Sequence, residues 1–152
     1  MTTFTRPEGT LVFLIAPRRE LVMMHRDKEG SHCWPDYWGV LGGKPEVGET
    51  ALETALREVR EEAGLDLTEL HEIDVVFAEE PYEILPGTQE VSKRPPHVFW
   101  KLWSGTADNL VKGDEGQALG VIPVDDVVNM KVPPYILVYL EQVLARFEEV
   151  TA

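Results

Sequence analysis

The sequence predicts an α+β fold, a mixed α/β arrangement in which helices cover a mixed sheet. Three observations carry that reading. Short β-branched and aromatic runs of strand length recur along the chain. Two segments, 51–63 and 134–149, have helical periodicity instead. The order is strands, helix, strands, helix, which suits helices packed on a sheet better than a bundle or a barrel.

The first candidate strand is Thr10–Ala16, and Glu20–Arg26 follows after a Pro17-Arg18-Arg19 turn, so the two are expected to form a hairpin. Residues 27–37 read as a long loop, and a loop of that length in a compact domain often carries function. A short strand, Trp38–Leu41, runs into Gly42-Gly43. Thr50 is a natural N-cap and Glu53, three residues later, completes a capping box, while Gly64 sits where a left-handed glycine would stop the helix. Further strands are expected at Ile73–Phe77, His97–Trp103 and Leu119–Val124. Between them, 81–96 is too rich in Pro and Gly for either regular structure. The closing helix buries a face that includes Ile136, Leu140, Val143, Leu144 and Phe147.

Composition narrows the function. At 152 residues, 43% hydrophobic and 27% charged, the chain suits one domain over 1–152, with no repeat or linker. Cys33 is the lone cysteine, which excludes an intramolecular disulfide framework and fits a reducing compartment. No apolar run approaches the roughly 18 residues of a membrane span. The first residues also lack a signal peptide's basic-then-apolar order, so a cytoplasmic protein without a membrane partner is expected. With 14 Lys plus Arg against 27 Asp plus Glu, the formal charge is −13, which argues against binding a nucleic-acid polymer. A small polyphosphate remains a possible ligand if a divalent cation lies between the two anions.

On the helix 51–63, Leu52, Ala55, Leu56 and Val59 form a core-facing stripe, and Glu58, Glu61 and Glu62 share an adjacent sector. Like charges at that spacing repel, and a hard divalent cation, Mg²⁺ above all, relieves the repulsion. A solvated acidic face is the ordinary explanation of such a helix. The flanking residues point elsewhere. Gly43-Lys-Pro-Glu-Val-Gly-Glu49, then Arg57-Glu58-Val59-Arg60-Glu61-Glu62-Ala63-Gly64-Leu65, fit Gly-x5-Glu-x7-Arg-Glu-U-x-Glu-Glu-x-Gly-U, with U apolar. Seven fixed identities coincide by chance about once in 10⁸ windows. The pattern resembles the Nudix box, 43–65, and the chain resembles a MutT-like member of the Nudix hydrolase family.

The resemblance implies an α/β/α sandwich and hydrolysis of a diphosphate bond in a nucleoside diphosphate derivative, by water attacking phosphorus. It implies Mg²⁺, with Mn²⁺ as a possible substitute, held by Glu58, Glu61, Glu62 and the Gly43 carbonyl. Glu49 and Arg57 match the pair that braces loop against helix, a supporting role. A carboxylate must take the water's proton. Glu58 is one candidate and Glu115, in Gly113-Asp114-Glu115-Gly116, is another, since it resembles a loop glutamate of MutT-type enzymes. That Gly-Asp-Glu-Gly run is equally good turn chemistry.

For substrate binding, Arg26 matches a phosphate-contacting arginine, Lys44 in the box joins it, and Trp34 is the better aromatic for stacking on a base. Trp38 is expected under the metal loop. Trp100 and Trp103, oddly spaced on a strand, should lie on opposite faces, one core and one towards a pocket. His25, His32, His71 and His97 have no metal-ligand spacing, and Cys33 has no context for a nucleophile. Two departures from the family pattern matter. Leu41 replaces the usual proline before Gly42-Gly43. Pro133-Pro134 is followed by Tyr135 and Ile136, without the asparagine that reads oxidised guanine in MutT. Pro81 resembles an ADP-ribose pyrophosphatase spacing and Tyr82 a dinucleoside polyphosphate one, so nucleoside triphosphates, ADP-ribose, sugar nucleotides and dinucleoside polyphosphates all stay open. Monomer and homodimer are equally open. The rival from another class is a Nudix-fold module that binds a nucleotide as a sensor without cleaving it.

Overall fold

The computed structural model describes residues 9–29, 34–76 and 95–151. Its elements in chain order are β1 (Thr10–Ala16), β2 (Glu20–His25), β3 (Trp38–Gly39), α1 (Ala51–Ala63), β4 (His71–Ile73), β5 (His97–Leu102), β6 (Ala118–Pro123), α2 (Val124–Val127) and α3 (Pro134–Thr151), with a 3₁₀ turn at Ala107–Asn109. The sheet runs β3-β2-β1-β5-β4, with β6 on the other side of β2. β1 and β5 are parallel, from Thr10↔His97 to Ile15↔Leu102. β2 is antiparallel to β1 and β6, so the sheet is mixed.

The β1 run is apolar at successive positions because both faces of the sheet are covered. Phe13 and Ile15 point to one side, into a core shared with Tyr135, Ile136, Tyr139 and Phe147 of α3. Val12 and Leu14 point to the other, against Ala55, Val59 and Ala63 of α1. Three layers result. Trp100 belongs to the α3 side and Trp103 to the α1 side, and both are core, at 5% and 6% exposure. No pocket-facing tryptophan comes from this strand.

α1 has the expected ends. Thr50 Oγ1 accepts from Glu53 N at 3.1 Å, Glu53 Oε1 accepts from Thr50 N at 3.0 Å, and Gly64 stops the helix at φ 69°. Its buried face is rotated from the expected stripe. Ala55, Val59, Glu62 and Ala63 face the sheet with Thr54, while Leu52 is 39% exposed. Thr54 is tolerated there because its hydroxyl donates within hydrogen-bonding distance of both Thr50 O and Glu49 Oε1, each at 3.0 Å.

Elsewhere the strands shift. β4 occupies 71–73 instead of 73–77, and Phe77 lies outside the described residues. Val76 does not join the ladder because Gln142 on α3 takes both its backbone groups, at 2.8 and 3.0 Å. β6 stops at Pro123, and Val124, expected as its last residue, begins α2. No helix among the described residues is long and apolar enough to cross a membrane.

Candidate functional site

The segment 38–43 wedges between β2 and β1. β3 pairs with the end of β2 at Met24↔Gly39 and His25↔Trp38, and Leu41 then bridges to Val12 of β1. Gly43 is fastened one step further on. Its carbonyl accepts from Thr10 N at 2.8 Å and from Thr10 Oγ1 at 2.9 Å. Both lone pairs of that oxygen are thus engaged. The expected use of the Gly43 carbonyl towards a cation is therefore corrected: it points into the sheet because an edge ladder with β1 claims it. Gly42 faces the other way, and its N–H donates to Glu62 Oε1 at 2.8 Å. Among the described residues its own carbonyl accepts no hydrogen bond. Gly42 must be glycine, since at φ 139° a Cβ would lie 2.1 Å from Thr10 O.

Glu62 occupies a core position of α1 and is only 5% exposed. Burial pushes its carboxyl up to about 8; the Gly42 N–H and Arg26 oppose the rise, and Glu58 and Glu115 add to it. Glu58 is also raised, first by burial, against the pull of Arg57 and with Glu61 and Glu115 adding. Gly43 leaves room for it: a Cβ there would stand 2.6 Å from the Glu58 carboxyl carbon. Glu61 is more open, its side chain 56% exposed.

Arg57 organises the acidic face. Its Nε donates to Glu49 Oε2 at 2.7 Å and its Nη2 to Glu49 Oε1 at 3.0 Å, a two-point bond that ties the 44–49 loop to α1. Nη2 also donates to the Lys44 carbonyl at 3.2 Å. Nη1 donates to Glu58 Oε1 at 2.9 Å and Glu61 Oε2 at 3.2 Å. The Arg57 bond holds the Glu49 carboxyl down at about 2, helped by the Glu46 N–H, and Glu49 in turn holds the guanidinium's proton more tightly.

Glu115 reaches this face because its loop docks on the C-terminal end of α1. Val111 N donates to Ala63 O at 2.9 Å, and a Cβ on Gly113 would fall 2.0 Å from Glu61 O. Gly116 N donates to Asp27 Oδ2 at 3.0 Å, which ties the loop to the end of β2 beside Arg26. Four of the expected residues, Glu58, Glu62, Glu115 and Arg26, are thus electrostatically coupled. Among the described residues no three carboxylate or imidazole groups are poised around one point. The hydrogen bonds explain this, since Arg57 draws off Glu58 and Glu61 while Gly42 holds Glu62.

Trp34 packs on the α3 side of the sheet, edge-on to Tyr37 at 5.2 Å and tilted against Tyr135 at 6.5 Å. Trp38 is not under the Gly42-Gly43 loop; it stacks on His25 at 4.9 Å on the α3 side of the sheet. His25 has no metal-like spacing in the sequence, but the fold gives it Asp36 as a partner, 2.9 Å from its Nε2. Gln117 joins them, donating to Asp36 Oδ1 at 2.9 Å and to the Arg26 carbonyl at 2.8 Å. No sequence motif flags Asp36 or Gln117. The one local hint is the tight Trp34-Pro35-Asp36 turn within the long loop. His32, Cys33, Pro81 and Tyr82 lie outside the described residues.

The three-layer fold and the glutamate-bearing helix after a Gly-Gly turn define a class. A NUDIX domain model matches residues 5–143, and the chain belongs to the Nudix family. Over 66 residues it is 38% identical to the dihydroneopterin triphosphate diphosphatase of Escherichia coli (strain K12), covering 42% of this chain and 40% of that one. Over 70 residues it is 39% identical to the oxidized purine nucleoside triphosphate hydrolase of Danio rerio, covering 46% and 42%. The chain thus matches less than half the length of these curated relatives. The NUDIX domain of Shewanella oneidensis NrtR, solved with ADP ribose, has a TM-score of 0.73 over 95% of this chain and 90% of that one, at 16% identity. The MutT NUDIX hydrolase from Burkholderia pseudomallei has a TM-score of 0.66 over 92% and 99%, at 21% identity. These structural likenesses concern the fold.

Proposed function

We propose that this chain is a hydrolase that cleaves a diphosphate bond in a nucleoside diphosphate derivative, with Mg²⁺ at the glutamate face of α1 and Mn²⁺ as a possible substitute. The observation that carries the reading is Glu62, a carboxylate at 5% exposure on a core-facing helix position, coupled to Glu58 and Glu115. A buried carboxylate with acidic neighbours is costly in isolation and fits a hard cation well. Glu58, Glu61 and Glu62 would hold the ion, and the outward-facing Gly42 would supply the backbone oxygen in place of Gly43. A bound divalent ion supplies charge neutralisation on the phosphates and a more acidic water.

The chain's own residues do the rest. Arg57, fixed by Glu49, sets the positions of Glu58 and Glu61, and Arg26 and Lys44 offer cationic contacts to phosphate. Glu58 or Glu115, the two carboxylates flanking Glu62, accepts the proton of the attacking water. The two relatives named above are named for triphosphate substrates, which supports testing triphosphates first among the four substrate classes.

The test is incubation with Mg²⁺ and a panel of nucleoside triphosphates, ADP-ribose, sugar nucleotides and diadenosine polyphosphates, reading the phosphate-containing products. Cleavage of one class supports the hydrolase. Binding without turnover in Mg²⁺ or Mn²⁺ would favour the sensor instead.

A further inference from the structure

Thr10 opens β1 and is a polar residue buried in the sheet, at 3% exposure. Its partner follows from register. The antiparallel bridge Val12↔Leu41, carried two residues on, sets Thr10 opposite Gly43. A regular ladder exchanges two backbone bonds at such a pair. Here one backbone bond forms, from Thr10 N to Gly43 O at 2.8 Å. The second uses the side chain: Gly43 N donates to Thr10 Oγ1 at 3.1 Å, and the hydroxyl in turn donates to Gly43 O at 2.9 Å. One buried hydroxyl thus holds both polar groups of Gly43.

The consequence falls on the neighbouring carbonyl. Gly43 N–H and Gly42 C=O belong to one planar trans peptide and point in opposite directions. With its N–H pinned on Thr10, this peptide turns the Gly42 oxygen away from β1, and among the described residues that oxygen accepts no hydrogen bond. Two acidic side chains adjoin the same peptide. Glu62 Oε1 lies 2.8 Å from Gly42 N, and the Glu58 carboxyl packs where a Cβ on Gly43 would stand 2.6 Å from it.

Little else holds the peptide in this direction. The bonds of Gly42 N and Gly43 O tie the peptides before and after it, and among the described residues the Thr10 hydroxyl alone bonds the one between them. Two consecutive glycines let a peptide rotate at little steric cost. Leu41, unlike a proline, leaves the preceding backbone angle unfixed. The hydroxyl supplies the restraint that these three residues lack.

We propose that Thr10 is a positioning residue for the cation, its hydroxyl pinning the Gly42–Gly43 peptide so that the Gly42 oxygen is presented beside Glu58 and Glu62. This rests on the hydrolase reading above and deepens its cation site.

The experiment titrates the metal-free full chain with Mn²⁺, following the free-ion electron paramagnetic resonance signal, and measures turnover against Mg²⁺ concentration. Thr10→Val keeps the branched shape and removes the hydroxyl. It is expected to bind Mn²⁺ about tenfold to a hundredfold more weakly. The Mg²⁺ concentration for half-maximal turnover should rise by a similar factor, with turnover recovering at saturating Mg²⁺. Thr10→Ser keeps the hydroxyl and should bind Mn²⁺ like wild type. A Thr10→Val chain that melts lower but binds Mn²⁺ as tightly as wild type has lost stability alone, and that outcome overturns the proposal. An equal loss in Thr10→Ser also overturns it, since packing of the methyl would then be responsible. Should Thr10→Val fail to melt cooperatively, Thr10→Cys, with its weakly bonding thiol, is read in the same way. Absence of Mn²⁺ binding in wild type would overturn this inference together with the cation reading beneath it. Wild-type binding with an unchanged Thr10→Val would overturn this inference alone.

Discussion

Glu62 and Gly43 show how single positions on the acidic face are constrained. With the folded-state carboxyl of Glu62 raised from 4.5 to about 8, the folded protein binds the proton more tightly than the unfolded chain. Its cost to stability is therefore absent below about pH 4.5, grows as pH rises, and is complete above about pH 8. Glu58, Glu115, Arg26 and the Gly42 N–H are the groups that face it. Metal-free Glu62→Gln is expected to melt at a higher temperature than wild type at pH 8 and at a similar one at pH 4, because glutamine keeps the acceptor for Gly42. The same variant, and Glu61→Gln, should lose roughly a hundredfold or more of Mg²⁺-dependent turnover with an unchanged far-UV spectrum. Near-wild-type turnover in either would remove the metal-ligand assignment. The paired glycines should separate in the same assays. Gly43→Ala meets only the movable carboxylate of Glu58, so it should fold and lose activity, whereas Gly42→Ala meets the Thr10 backbone and should lose stability.

At the scale of elements, α1 is held by a cap at its start and by Arg57 along its side. Removing the cap with Thr50→Ala should cost about 1 kcal/mol, read from denaturant midpoints. The Glu49–Arg57 bond carries a pH signature of opposite sign to that of Glu62. Glu49 is depressed from 4.5 to about 2, so its contribution is present above about pH 4.5 and is lost as pH falls towards 2. The melting-temperature gap between wild type and Glu49→Gln should close over that window, and a gap independent of pH would show that the bond contributes little. The loop 111–116 is the other element with a defined job, since its bonds to Ala63 O and Asp27 Oδ2 bring Glu115 to α1.

Over the whole molecule, a formal charge of −13 opposes compaction. Raising NaCl from near zero to about 0.15 M, where the screening length is about 8 Å, should raise the melting temperature. Millimolar Mg²⁺ at constant ionic strength should add a further shift by binding the folded state. That extra shift should vanish in Glu62→Gln. A Mg²⁺ effect no larger than that of Na⁺ at equal ionic strength would mean screening alone, and the cation site would be wrong.

The covalent order of residues was enough for the features that depend on near neighbours. The bounds of α1 follow from Thr50, Glu53 and Gly64, which act within one or two turns, and the β1–β2 hairpin follows from two apolar runs and a short turn. Helical spacing likewise put Glu58, Glu61 and Glu62 on one sector of α1, and the Glu49–Arg57 bond is the one that the resemblance to the Nudix box implied. Tertiary structure decided the rest. Which face of α1 is buried was set by the sheet it packs on, so Leu52 is exposed and Glu62 is not. The direction of the Gly43 carbonyl was set by Thr10, 33 positions earlier. Val76 left the β4 ladder for Gln142, and Asp36 found His25 and Gln117, through contacts across 66, 11 and 81 positions. No local propensity encodes such pairings, which exist only once the sheet has brought distant backbone and side-chain groups within hydrogen-bonding reach.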